Sequence, residues 1–158
     1  MKKELLKGIT MLLLVTVFAL VTAVASANAQ SANRVVANVP FEFSVGSKAM
    51  PAGEYSVQAI NGTNSTLMIR SADAKQAAVR LTSEIGRSKK NTHARLVFHR
   101  YGERYFLAEV WSGFDETGRQ LLKSKEEKAI ENELASIPSS GDSAKSSYES
   151  VVVLASLR

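Results

Sequence analysis

The 158-residue sequence contains no cysteine, only two histidines and a single tryptophan. The absence of cysteine excludes disulfides, thiolate metal sites and thiol nucleophiles, so the folded chain depends on packing for its stability. With His93 and His99 as the only imidazoles, transition-metal sites and histidine general bases have few candidates. The sequence therefore predicts neither a metal site nor a cofactor.

Sequence motifs of the common enzyme classes are also missing. The chain has no Gly-x-Ser-x-Gly turn and no glycine-rich phosphate-binding or dinucleotide-binding loop. The one set of residues that resembles a catalytic group is His99, Arg104, Tyr105 and Glu109 on a predicted hairpin. Strict alternation along that hairpin puts His99 and Glu109 on opposite faces of the sheet. We therefore expect a non-enzymatic protein, with a hydrolase centred on His99 as the least favoured alternative.

The first 29 residues have the pattern of a cleaved signal peptide. Lysines 2, 3 and 7 precede an apolar run that ends near Val24, and Ala27-Asn28-Ala29 supplies small residues at the recognition positions. The strongly apolar part, Met11 to Val21, is about half the length of a spanning helix. The sequence thus predicts an exported protein, periplasmic or extracellular, without stable membrane insertion after cleavage.

The charge balance limits the possible partners. The chain has a formal net charge of +5, and part of this excess lies in the predicted leader. A mild positive charge on an exported protein argues against a nucleic-acid partner and is compatible with an anionic envelope glycan or another protein.

Residues 30–158 are predicted to form a single β-rich domain. Apolar residues alternate with polar ones through Val39, Phe41, Phe43 and Val45, and this alternation recurs up to Gly113 between turn signals such as Asn61-Gly62. The strongest pair is Arg95 to Tyr101 with Arg104 to Ser112, because Gly102-Glu103 suits a type II′ turn. This pattern predicts an antiparallel β-sandwich or flattened barrel of about seven or eight strands.

One helix is predicted over about 124–136. Ser124 and Glu127 have the spacing of a capping box, and Ile130, Leu134 and Ile137 recur on one helical face that could dock on the sheet. A Ser-rich linker at 139–147 and a closing strand at about 150–157 follow.

Basic and aromatic residues concentrate around the predicted hairpin and the loop before it. Such residues could contact an anionic surface or stack on a sugar, whereas a solvated loop and ordinary core packing are the simpler explanations for the same residues. The candidate ligand-binding residues are Arg87, Lys89, Lys90, Arg95, Arg100, Arg104, Tyr105 and Trp111.

Two segments resemble those of a group of small exported bacterial proteins of unknown function, frequent in acidobacteria. The first runs from Val39-Pro40-Phe41-Glu42-Phe43-Ser44-Val45-Gly46 to Met50-Pro51-Ala52-Gly53-Glu54-Tyr55, and the second from Leu96 to Trp111. The resemblance implies export and a β-rich fold, and it implies no reaction, ligand or catalytic residue.

The sequence thus favours an exported, non-enzymatic envelope or extracellular interaction module with an anionic, carbohydrate or protein partner. A small carrier with a lipocalin-like apolar cavity is the main alternative. A large open cavity inside the sheet would favour the carrier, and a filled interior would favour the interaction module.

Overall fold

Eleven β-strands and one α-helix make up the regular structure of the residues that the computed structural model describes, which are 34–60, 63–86, 93–113, 117–136 and 148–158. All of them belong to the unit Asn33–Arg158. The predicted leader, the Asn61-Gly62 turn, the basic residues Arg87, Lys89 and Lys90, and the Ser-rich linker lie outside the described residues.

The protein is mainly β, as predicted. The strands are β1 (Val35–Val39), β2 (Phe43–Val45), β3 (Lys48–Met50), β4 (Gly53–Ile60), β5 (Thr63–Ser71), β6 (Ala77–Ile85), β7 (Arg95–Tyr101), β8 (Arg104–Trp111), β9 (Gly118–Leu121), β10 (Glu149–Leu154) and β11 (Ser156–Leu157), and the helix α1 is Lys125–Ala135.

Neighbouring strands pair in the order β10-β7-β8-β9-β6-β5-β4-β1-β11, with β2 attached to β3 and β8. The two ends of this path, β10 and β11, are consecutive in the chain: Leu154 pairs with Arg95 of β7, and Ser156 pairs with Val36 of β1. Strand β6 is shared in a similar way, because Ala77–Leu81 pairs with β5 and Thr82–Ile85 pairs with β9. The sheet thus has two halves, one with β1, β4, β5 and β11 and the other with β2, β3, β7, β8, β9 and β10. Strand β6 and the β10–β11 segment connect these halves, and the sheet is not closed.

Both halves of the path contribute to one apolar core. Val39 and Ile69 come from one half and Phe43 and Phe98 from the other, and all four are at most 2% exposed. The alternation of apolar residues explains this arrangement, since every second side chain of a strand points to the same face. The rings of Phe43 and Phe98 meet edge to face with centroids 5.2 Å apart.

The number of strands exceeds the expected seven or eight, and the reasons are local. The predicted strand from Val39 to Val45 is divided into β1 and β2 at Pro40, whose nitrogen cannot donate to a ladder. The predicted closing strand is likewise two strands, and β9 lies in a stretch where no strand was predicted.

The β7–β8 hairpin has the predicted turn but not the whole predicted register. Gly102 has φ of 61°, the sign that a type II′ turn requires at its first central position. His99 pairs with Phe106 as expected, but a register shift between Val97 and Phe98 places Glu109 opposite Val97 instead of Leu96. One extra residue on β8 causes this shift, and periodicity alone does not reveal it.

The helix begins where the capping box predicts, but the face that it buries is not the predicted apolar one. Ser124 Oγ accepts a hydrogen bond from the Glu127 nitrogen at 3.0 Å. The predicted apolar face is not buried, because Leu134 is 38% exposed and Ile130 is half-buried, while Ile137 lies outside the described residues. Glu127 is the buried residue of α1.

Candidate functional site

The β7–β8 hairpin has two buried faces. Leu96, Phe98, Leu107 and Val110 belong to the apolar core, on its inner face. A second set is buried outside that core cluster, and we call it the outer face. It consists of Arg95, Val97, His99 and Tyr101 on β7 with Phe106, Ala108 and Trp111 on β8.

A histidine and a carboxylate meet on the outer face. His99 Nδ1 lies 2.8 Å from Glu127 Oε1, and both side chains are 5% exposed. Strand β7 positions His99, and the capped first turn of α1 positions Glu127. The Tyr101 hydroxyl donates to the same Glu127 oxygen at 3.4 Å. The carboxylate that pairs with His99 is therefore that of Glu127, for which the sequence motif predicted only a role in capping the helix.

Aromatic rings and a lysine surround this pair. The Tyr148 ring stacks on His99 with centroids 3.8 Å apart, and Lys123 Nζ lies 5.1 Å from the Tyr148 ring centroid. Burial of Tyr101, followed by the negative charge of Glu127, raises the pKa of the Tyr101 hydroxyl above its ordinary value. These groups form a buried polar network between β7 and the first turn of α1.

The expected separation of His99 and Glu109 is wrong, and the bulge explains why. Because Glu109 pairs with Val97, which is two residues from His99, Glu109 lies on the same face as His99. Its Oε2 atom accepts a hydrogen bond from Trp111 Nε1 at 2.8 Å. Glu109 is thus engaged by Trp111, and His99 is buried, with 4% of its surface exposed.

Arg95 and Trp111 lie together at the other end of the outer face. The Arg95 guanidinium carbon is 4.4 Å from the Trp111 ring centroid, and both residues are at most 7% exposed. Arg95 Nη1 is buried and has no hydrogen-bond partner among the described residues. Neither side chain is presented at the surface.

Arg100 and Tyr105 lie at the tip of the hairpin on the opposite face. Arg100 pairs with Glu149 at 3.2 Å and with Glu103 at 3.8 Å, and its Nε donates to the Gly102 carbonyl oxygen at 2.8 Å. The Tyr105 ring stacks on Phe41 with centroids 4.0 Å apart. These contacts give both residues structural partners within the chain.

Arg104 lies near the same tip and forms an ion pair with Glu126 of α1. The structure therefore does not bring the described candidate residues together as one basic surface: Arg95 and Trp111 are buried together, and Arg100 and Arg104 are ion-paired. A ligand-binding role for these residues stays a prediction.

An open, largely apolar groove was not anticipated from the sequence. Its volume is about 530 Å³, and Val79, Leu81 and Leu122 at its walls are 51%, 63% and 65% exposed. The groove lies between β6, the β2–β3 turn and the start of α1. Its lining residues are Gly46, Ser47, Val79, Arg80, Leu81, Leu122, Ser124, Lys125 and Glu126.

Gly46 and Arg80 shape one wall of the groove. Arg80 donates to the Val45 carbonyl oxygen from Nη2 at 2.8 Å and from Nε at 3.2 Å. Gly46 has φ of 65°, and a Cβ atom at this position would collide with the Arg80 guanidinium. The β2–β3 turn is therefore hydrogen-bonded to β6 through Arg80, whose guanidinium occupies the space that a Cβ atom at Gly46 would need.

The alternation of apolar residues on β6 is the sequence feature that underlies this groove. Val79 and Leu81 were expected on a strand, as they are, but the buried residue is Ala78, which precedes Val79 and points to the opposite face of β6. The side of β6 that carries the larger apolar residues faces outward. Periodicity identifies the strand but cannot decide which face is inside when a small alanine can fill the core position.

Two chemical features are absent from the described part of the chain. It contains no cluster of three or more His, Asp or Glu residues that could hold a metal ion. It also contains no helix with the length and apolar character needed to cross a membrane.

No protein-family model matches the chain, and no significant match was found among the curated proteins or the solved structures. The resemblance to small exported acidobacterial proteins therefore remains a prediction.

Proposed function

We propose that this protein is an exported, non-enzymatic interaction module that binds an apolar segment of another protein in the groove between β6 and α1. The observation that carries this proposal is the exposure of Val79, Leu81 and Leu122 around one depression. Contiguous apolar patches with polar rims are typical of sites where proteins associate.

The charges at the groove limit the chemistry of the partner. Lys125 is exposed at the edge, while the nearby Glu126 carboxylate pairs with Arg104. An aliphatic segment flanked by an acidic residue would satisfy both the apolar walls and the lysine. By comparison, an anionic or carbohydrate partner at the hairpin has weaker support, because the arginines there have partners within the chain.

The large buried side chains between the two halves support this proposal over a carrier that encloses its ligand. Phe43, Phe98, Met50 and Leu96 are at most 2% exposed and occupy the space between the two halves of the path. We further propose that these halves pack as a sandwich whose corners are formed by β6 and by the β10–β11 segment, since each of them pairs with both halves.

Site-specific photocrosslinking in the native cells tests the proposal. A photoreactive residue at Leu81 should crosslink one partner protein, and the same residue at the exposed Ser83 of β6 should not. The identified partner, once purified, should lose at least about tenfold in affinity on Leu81→Lys. Equal crosslinking at both positions, or unchanged affinity of the Lys variant, would contradict the proposal.

Export is tested separately by mass spectrometry of the mature amino terminus from fractionated cells. The proposal expects cleavage after Ala29 and a periplasmic or extracellular product. An intact amino terminus on a cytosolic protein would contradict export without bearing on the groove.

A small apolar ligand is a second candidate occupant of the same groove. The volume of about 530 Å³ lies in the usual range of ligand sites. Titration with a fluorescent fatty acid distinguishes the two: saturable binding that Leu122→Lys abolishes favours the carrier, and no binding favours the protein partner.

A further inference from the structure

The groove runs along the edge of β6 and not over one of its faces. Val79, Arg80 and Leu81, which are consecutive in the strand, all line it. Successive side chains of a strand point to opposite faces of the sheet, so a depression on one face would be lined by alternate residues only. The groove therefore gives access to the backbone of β6 as well as to its side chains.

This edge of β6 has no neighbouring strand beside the groove. Within the described part of the chain, Ala77–Leu81 pairs with β5 on one side, and β9 pairs on the other side with Thr82–Ile85 only. Strand β9 ends at Leu121, and the chain then passes through Leu122 to α1. About 16 Å of strand edge is thus left beside the groove, at about 3.3 Å for each residue.

The hydrogen bonds of the β5–β6 ladder show which backbone groups face the groove. The Ser71 nitrogen donates to the Gln76 carbonyl oxygen at 2.9 Å, and hydrogen-bonded pairs recur at every second residue of an antiparallel ladder. Ala78 and Arg80 are therefore the residues of β6 that exchange hydrogen bonds with β5. The residues that alternate with them direct their N–H and C=O groups to the opposite edge.

Val79 and Leu81 thus present backbone and side-chain groups to the groove together. Their side chains are 51% and 63% exposed, and their N–H and C=O groups point away from β5. A separate contact agrees with this alternation, because Lys48 Nζ donates to the carbonyl oxygen of Ala77 at 2.9 Å. A row of unpaired strand donors and acceptors beside apolar side chains is the feature to which an added β-strand binds.

The groups that border the groove have an excess of positive charge. Lys48 and Arg80 donate to backbone carbonyl oxygens, which carry no net charge, and Lys125 is exposed. None of these three cations forms an ion pair with a described residue. The carboxylate of Glu126, by contrast, is paired with Arg104. The charge of the groove is therefore complementary to an acidic partner.

We propose that the partner binds as an extended strand added to the edge of β6, with apolar residues at alternate positions and at least one acidic residue. This inference rests on the proposed function, because it specifies how an apolar protein segment occupies the same groove. Main-chain hydrogen bonds to Val79 and Leu81 fix the segment, and its apolar side chains contact Leu122 and the exposed side chains of β6.

A designed peptide added to the purified protein tests this mode of binding. The probe is a short capped peptide in which valine and threonine alternate, with an aspartate at each end. It should bind saturably, and the amides of Val79 and Leu81 should gain at least about tenfold protection from hydrogen exchange. Those of Ala78 and Arg80, already bonded to β5, should change by less than about threefold. No binding, or equal changes at all four amides, would overturn the proposal.

A second peptide separates backbone pairing from apolar contact. Methylation of its central amide nitrogens keeps the side chains and removes the hydrogen-bond donors, so the affinity should fall by at least about tenfold. Lysines in place of the aspartates should also weaken binding, and added salt should reduce that difference. Equal affinity of the methylated and parent peptides would show that the groove holds apolar groups without strand pairing, as it would a helix or a lipid, and would overturn the proposal.

The peptide and crosslinking experiments fail independently. Peptide binding without a partner crosslinked at Leu81 in native cells would contradict the proposed function and support strand addition. Crosslinking at Leu81 without peptide binding would contradict strand addition alone. Protection of Val79 and Leu81 that rises with protein concentration in the absence of peptide would show that a second copy occupies this edge, and would overturn the assignment of the partner.

Discussion

His99 and Glu127 are 28 residues apart in the chain and 2.8 Å apart in space, and they join the central hairpin to the only helix among the described residues. Both side chains are buried, so each is the other's main compensation for the loss of water. This pair explains how a short helix with an exposed Leu134 remains on the sheet.

The pair predicts a non-additive effect of mutation. Glu127→Leu or His99→Leu should each lower the free energy of unfolding by about 1–3 kcal/mol, because each leaves one buried polar partner unsatisfied. The double variant should lose less than the sum of the single losses, since it leaves neither partner unsatisfied. Urea unfolding followed by Trp111 fluorescence measures the three values, and strict additivity would show that the two residues are not coupled.

Glu127 also shows what the sequence could and could not predict. The Ser124-x-x-Glu127 spacing predicted the start of α1 correctly, because capping depends on local geometry. The partner of the Glu127 side chain depends on how α1 crosses the hairpin, which local spacing does not encode. A titratable residue at a cap can therefore have a tertiary role that the motif hides.

The β7–β8 hairpin also combines a feature that the sequence predicts with one that it does not. The turn at Gly102-Glu103 was predictable because positive φ at the first central position favours glycine. The bulge beyond Phe98 was not, since a single inserted residue leaves the apolar pattern of β8 almost unchanged. That one residue moves Glu109 to the face of His99, so the expectation from periodicity that the two side chains lie on opposite faces was wrong.

The contact between Gly46 and Arg80 predicts that the stability of the fold is sensitive to substitution of Gly46. Gly46→Ala should lower the free energy of unfolding by at least about 1–2 kcal/mol, because alanine disfavours positive φ and its Cβ would displace the Arg80 side chain. Gly86→Ala is the matched control, since a Cβ there meets no atom of the described residues within 4 Å. It should change stability by less than about 0.5 kcal/mol. Equal effects at both glycines in denaturant unfolding would contradict this account.

We predict that the fold tolerates replacement of the buried Arg95 by an apolar residue. Its Nη1 atom is buried without a hydrogen-bond partner among the described residues, so methionine could keep the packing on Trp111 and remove an uncompensated donor. We expect Arg95→Met to leave the free energy of unfolding within about 1 kcal/mol of the wild type or to raise it. Trp111→Ala should instead lower it by about 3–5 kcal/mol. Thermal or urea unfolding gives both values, and a large loss for Arg95→Met would reveal a buried counter-charge.

Tyr101 predicts a loss of stability at alkaline pH. Burial raises the pKa of its hydroxyl in the folded state above the ordinary value of about 10, with Glu127 adding to the shift. Because the folded state holds this proton more tightly than the unfolded state, the contribution is complete below about pH 10 and is lost as the pH rises beyond it. Tyr101→Phe, which keeps the ring beside Phe106, should therefore lose less stability than the wild type between pH 9 and pH 11. Parallel slopes for the two proteins in urea unfolding over this range would show that Tyr101 ionises as readily in the folded chain as in the unfolded one.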